Sequence, residues 1–183
     1  MSQSYPRRAQ LRYTVWAWSA YAGGGLAVAD AAIQRHRSLA ASGPLLAVAS
    51  AALGAGIAWS RRAARYGVGA RSERVVADRL RSLEGRGWVV CHSVVWRGRG
   101  DIDHVVQSPG ILAFAIETKT SRYDHTHLAR TREAALHLDP YWQSCVPVLC
   151  LARRSGVCAE EQGVQVVSAD RLVARLSELA GRA

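Results

Sequence analysis

Two carboxylates and a lysine stand close together in the middle of the chain. Asp103 lies in "GDIDHVVQ", and Glu117 and Lys119 end the apolar run "ILAFAIETK". Phosphodiester hydrolysis calls for such a set. Hard carboxylate oxygens can hold a divalent cation, and the cation lowers the pKa of a bound water and offsets charge building on the phosphate. A lysine beside it can orient or deprotonate that water. Lys119 is the only lysine among 24 Lys+Arg residues. Where guanidinium serves for charge everywhere else, a compact ammonium suits a site that needs a small, deprotonatable group.

An E-x-K triplet alone usually marks the solvated end of a strand, so the elements around it decide its meaning. "WVVCHSVVW" (Trp88 to Trp96), "IDHVVQ" and "ILAFAIETK" are rich in β-branched and aromatic residues and read as three strands. Ser108, Pro109 and Gly110 supply turn chemistry for an antiparallel hairpin between the last two. Alternation then puts Asp101, Asp103 and Val105 on one face with Ala113, Ala115, Glu117 and Lys119. With the turn centred on Pro109, Asp103 faces Ala115 and lies diagonal to Glu117, about 7–8 Å away. Asp101 is the second candidate for the aspartate's role, and His104 points to the opposite face.

Upstream, Val75, Val76, Ala77, Leu80 and Leu83 recur at helical intervals over Ser72 to Leu83, which sets Glu73 towards the buried side or its edge. Downstream a helix is expected within His127 to Leu138, a buried strand from Val146, a strand at Val164 to Val167, and a last helix with Ser168 as N-cap.

The order "GARSE" in the first helix, "GDIDHVV", a Ser-Pro-Gly turn, "IETK" and a trailing "GVQVVSADRL" closely resembles the nuclease-related domain family. That family is a branch of the PD-(D/E)xK restriction-endonuclease-like superfamily. The resemblance implies an α/β fold, a mixed central sheet flanked by helices, over residues 67–183. It also implies a divalent cation, magnesium or manganese in its place, held by Asp103, Glu117 and the backbone carbonyl of Thr118, with Lys119 and Glu73 completing the catalytic set. Where the family often carries a glutamine in the following helix, this chain has Arg130, Thr131 and Arg132.

The excess of basic over acidic residues gives a net charge of +10 and a pI near 10.3, which favours an anionic partner, nucleic acid or membrane surface. Arg97, Arg99 and Arg122 are the first candidates for contact with nucleic acid, with DNA ahead of RNA. Four cysteines without a CxxC pair argue against a zinc ribbon and for free thiols. "GRGD" at Gly98 to Asp101 lacks the lysine and helix start of a nucleotide-binding loop.

Residues 1–66 differ in kind. Two uncharged apolar stretches, Tyr13 to Ala29 and Ser38 to Ser60, suggest a helical hairpin with arginines on its flanks. Gly43, Ala47, Ala51 and Ala55 of the second stretch and Ala20 and Gly24 of the first offer small residues for close helix contact. No signal peptide is evident. The expectation is a membrane anchor through residues 13–60 with the 67–183 domain on the cytoplasmic side, a soluble helical pair being the alternative. The functional expectation is a membrane-anchored, metal-dependent nuclease. The competing one is a catalytically inactive module on the same fold that binds nucleic acid or a membrane partner.

Overall fold

A computed structural model of the chain describes residues 5–35, 39–96, 99–142 and 144–182. Arg97 and the start of the expected second span, Ser38, lie outside them. The chain divides into two compact units, one over Pro6–Gly67 and the other chiefly over Val68–Ala183.

The first unit holds helix α1 (Tyr5–Arg35) and the first part of α2 (Leu39–Glu84). Its buried side chains are small: Ala9, Ala17, Ala31, Ala49 and Ala63. A Cβ on Gly24 would meet the Ala49 carbonyl and the Ala52 Cβ at 3.4 Å, and one on Gly56 would strike the Tyr21 ring at 2.6 Å. The contact face is therefore Ala49, Ala52 and Gly56, whereas Ala47 and Ala51 are exposed. Ring contacts set this rotation, Tyr13 stacking on Tyr66 at 5.5 Å and Trp16 meeting Trp59 at 5.7 Å. Large apolar side chains face outward instead, among them Leu11, Val15, Trp18, Leu26, Val48 and Ile57. Among the described residues no helix is long and apolar enough to cross a membrane.

The second unit is a mixed six-stranded sheet between helices, an α/β arrangement consistent with a nuclease fold. Its strands are β1 (Val89–Trp96), β2 (Gly100–Gln107), β3 (Ala113–Lys119), β4 (Cys145–Leu151), β5 (Cys158–Glu161) and β6 (Val164–Ser168). They lie in the order β1-β2-β3-β4-β6-β5. β1–β2, β2–β3 and β5–β6 pair antiparallel, while β3–β4 and β4–β6 pair parallel. On one face Val76, Leu80 and Leu83 of α2 join Phe114, Ile116 and Val148 and, from α4 (Leu172–Ala180), Leu172 and Leu176. On the other face α3 (His125–Trp142) lays Ala134, Ala135 and Leu138 over Val105 and Ala115, and Leu128 over Leu149 and Leu151. Apolar side chains buried this completely contribute on the order of 1.5–3 kcal/mol each.

Four expectations need correction. The helix bearing Glu73 does not start at Ser72: α2 runs unbroken from Leu39 to Glu84, because the change from apolar to charged residues at "RRAARYGVGARSE" alters which face is wet and not the backbone. Ser168 is not a helix cap. It ends β6, its hydroxyl bonding to Val157 N and O, and the residue before α4 is Arg171, which makes no side-chain cap bond. The β2–β3 register is centred on Gly110, with Val105 opposite Ala115. Ser108 N donates to Leu112 O at 2.9 Å, and the loop so closed takes in Ile111 at φ 75°.

The last concerns faces. Cys91 and Val94, and Ile102 and Val105, are each three residues apart, yet pack in one cluster under α3. Strict alternation forbids that. The break falls at Ser93, in a left-handed conformation at φ 52°, opposite Asp103, and the ladder passes over those two residues. Beyond it even-numbered residues turn towards α3, so Asp101 and Asp103 do not share one continuous face.

His104 is buried on the face away from α3, its Nδ1 2.8 Å from His92 Nδ1. Burial, with His92 second, depresses His104 to about 3. A depressed folded pKa means that stability is full above the unfolded value near 6.5 and is lost as pH falls towards 3. Between pH 6.5 and 5 one such group removes about 2 kcal/mol. His104→Phe should therefore flatten the acid limb of a urea-denaturation series; an unchanged slope would remove this account.

Candidate active site

β2 and β3 carry the two carboxylates to one end of the sheet. The last pair of their ladder is His104 with Ile116. Beyond it a side chain replaces the strand partner, Thr118 N donating to Asp103 Oδ2 at 2.7 Å. Glu117 is buried, 7% exposed, in a strand whose neighbours β2 and β4 flank it on both sides. A carboxylate buried this deeply needs a cationic partner. Lys119 Nζ donates to Glu117 Oε1 at 2.8 Å, and Arg130 Nε lies 3.7 Å from the same oxygen.

Glu73 comes from α2. Next to it Ser72 is buried, its hydroxyl 3.1 Å from Thr120 Oγ1 and also donating to Val68 O, which ties this turn of helix to the end of β3. The electrostatics of Asp103 record the convergence. Burial comes first, then the negative charges of Glu117 and Glu73, in holding its carboxyl well above the ordinary carboxylate range. The Thr118 amide and the Lys119 ammonium pull the other way and do not prevail. Glu117, Glu73 and Lys119 thus all lie within reach of the charge on Asp103.

Other expected residues fall elsewhere. Arg122 is exposed in the loop after β3. Arg99 is exposed, pairs with Glu133 and sits over the Trp96 ring at 5.6 Å. In α3, Thr131 is buried with its hydroxyl bonded to His127 O, and Arg132 reaches Gln162 O at 3.3 Å. Arg130 alone of that trio meets the carboxylates. Its signal in the sequence was positional: a helix crossing from β3 to the parallel β4 must start above the end of β3 that carries Glu117.

Among the described residues no three His, Cys, Asp or Glu side chains form a ready metal cage. The donor chemistry nevertheless fits a hard cation that keeps much of its water. Magnesium is bound by one or two carboxylates plus substrate phosphates rather than by an all-protein cage. A half-buried aspartate resisting ionisation beside two other carboxylates is a place where added positive charge is favoured. Thr118 Oγ1, buried without a hydrogen-bond partner, shows that polar capacity remains here.

No curated protein and no solved structure gives a significant match to the chain. The model of the nuclease-related domain matches residues 68–164, more than half of the chain and the whole of this site. With the fold, that match shows that the chain belongs to the nuclease-related domain family.

Proposed function

We propose that the protein is a divalent-metal-dependent nuclease in which Asp103, Glu117 and the Thr118 carbonyl hold the cation and Lys119 handles the attacking water. The observation that carries this reading is the crowding of the half-buried Asp103 by Glu117 and Glu73, with Lys119 2.8 Å from Glu117. When bound, the cation would supply charge neutralisation at the phosphate and acidify a water. Glu117 holds Lys119 Nζ in place, and Lys119, as the free amine once its own extra proton has passed to solvent, would orient the water and take its proton. Glu73 supports the cation's waters from α2. With water as the nucleophile no ribose hydroxyl is needed, so DNA can serve as substrate, and DNA is the one proposed. Purified protein should cleave plasmid, linear or single-stranded DNA with magnesium or manganese and stop on chelation. Binding without cleavage under any of these conditions would replace the reading with the inactive binding module.

The first unit supports a membrane role for Pro6–Gly67. Its small residues face inward and its large apolar residues outward, the reverse of a water-soluble helix pair. Arg12 and Arg62 lie over the Tyr13 ring at 5.7 and 5.9 Å, a grouping of aromatic and cationic side chains suited to headgroups. The full chain should sediment with membranes, with the nuclease unit on the cytoplasmic side. Recovery in the soluble fraction without detergent would defeat the anchor.

A further inference from the structure

We infer that an open cleft beside Glu117 receives one unstacked nucleotide, making single-stranded or frayed nucleic acid the preferred substrate; this rests on the nuclease reading above. The cleft measures about 370 Å³ and is lined by Trp96, Arg99, Thr126, Ala129, Arg130 and Glu133 among others. Its floor is rigid. Trp96 is 7% exposed, stacked on His137 at a centroid distance of 5.8 Å, and its ring carries the guanidinium groups of Arg99 and Arg130 at 5.6 and 5.8 Å. A guanidinium held over an indole keeps its charge and offers its N–H edge to a phosphate.

Arg130 links this cleft to the carboxylates. Its Nη2 donates to Arg99 O at 3.1 Å, while its Nε, buried and without a hydrogen-bond partner, stands 3.7 Å from Glu117 Oε1. One side chain therefore spans the hydrolytic carboxylate and the cleft, with a donor still to satisfy. Glu133 offsets only Arg99, and Thr126 adds a hydroxyl at the start of α3.

Size selects the strand form. The volume lies at the lower end of ligand sites, about 300–1,000 Å³, enough for a single nucleotide. A duplex can fill it only by unstacking and unpairing a base, at a cost of a few kcal/mol that a single strand does not meet. Arg130 would hold the phosphate next to the one being cut, and the cleft would hold that phosphate's nucleotide.

The test uses the full chain in mild detergent with EDTA, so that nothing is cut, and a fluorescein-labelled oligodeoxynucleotide alone or annealed to its complement. Anisotropy should show the single strand bound about tenfold or more tightly than the duplex. Arg130→Gln should weaken single-strand binding about tenfold and lower the salt slope by about one. Ala129→Trp, which fills the cleft without changing charge, should erase the preference and leave duplex affinity in place. Equal affinity for both forms in the wild type, or a preference that survives both substitutions, would overturn the inference while the nuclease reading stands. Absence of binding to either form would overturn the inference too, while cleavage with magnesium or manganese decides the nuclease reading itself.

Discussion

Lys119→Arg is expected to lose cleavage by about 10²–10⁴-fold, the span that general acid–base catalysis supplies, with almost no change in unfolding midpoint. The substitution keeps the charge in a chain that uses arginine at every other basic position. Lack of positive charge cannot explain a loss, because Arg130 already stands 3.7 Å from Glu117 Oε1. What changes is chemistry and size. A guanidinium is planar, larger and does not deprotonate, so it cannot take a proton from water. Lys119, about one quarter exposed, has room to be replaced without opening the core. Lys119→Ala should lose cleavage too but still bind the cation, since removing a neighbouring ammonium favours a divalent ion. Initial rates with magnesium and with manganese, beside a calorimetric titration of each variant, give the readout. Full activity in Lys119→Arg would strip the residue of its role.

Asp103→Asn is expected to make the metal-free protein more stable and the enzyme inactive, with cleavage reduced by more than the roughly 100-fold that loss of a ligand's supporting partner already causes. The two effects share one origin. The folded pKa of Asp103 is raised, by burial first and by Glu117 and Glu73 next. A group shifted in this direction contributes stability below its unfolded pKa and loses that contribution as pH rises through the folded value. Asparagine removes the penalty and can still accept from Thr118 N. The unfolding midpoint in EDTA should therefore rise and lose its decline with increasing pH. In the wild type the cation should raise the midpoint, because it binds only the folded chain, and in Asp103→Asn and Glu117→Ala it should not. A wild-type midpoint indifferent to both magnesium and manganese would sink the metal assignment.

Much of this site was legible because its positions depend on parity and order. The Ser-Pro-Gly turn and two β-rich runs define a hairpin, and a register error of two residues leaves Asp103 and Glu117 at the same end of it. That error arose because Ile111, a β-branched residue, was not expected to take the left-handed conformation that extends the loop. The face reversal at Ser93 leaves no mark in hydrophobic pattern, since residues 94 to 96 are apolar throughout. β5 escaped notice because "CAEE" is exposed along its whole length and is held by pairing with β6 and by the Tyr123 hydroxyl donating to Glu161. The nearness of Arg130 to Glu117 depends on how α3 lies across the sheet, a matter of packing that spacing within α3 does not encode.

The bond from Thr118 N to Asp103 Oδ2 makes the last rung of the β2–β3 ladder out of a carboxylate. One oxygen of Asp103 thus closes the sheet, which leaves the other for the chemistry of the site. Chemistry and architecture share a single side chain there. Whatever alters the charge of Asp103, proton or cation, also alters the strength of that rung, so the end of the central strand is tuned by the state of the site it carries. Strand separation at this point and loss of the ion would be one event, and an empty site would be looser at its backbone than a filled one.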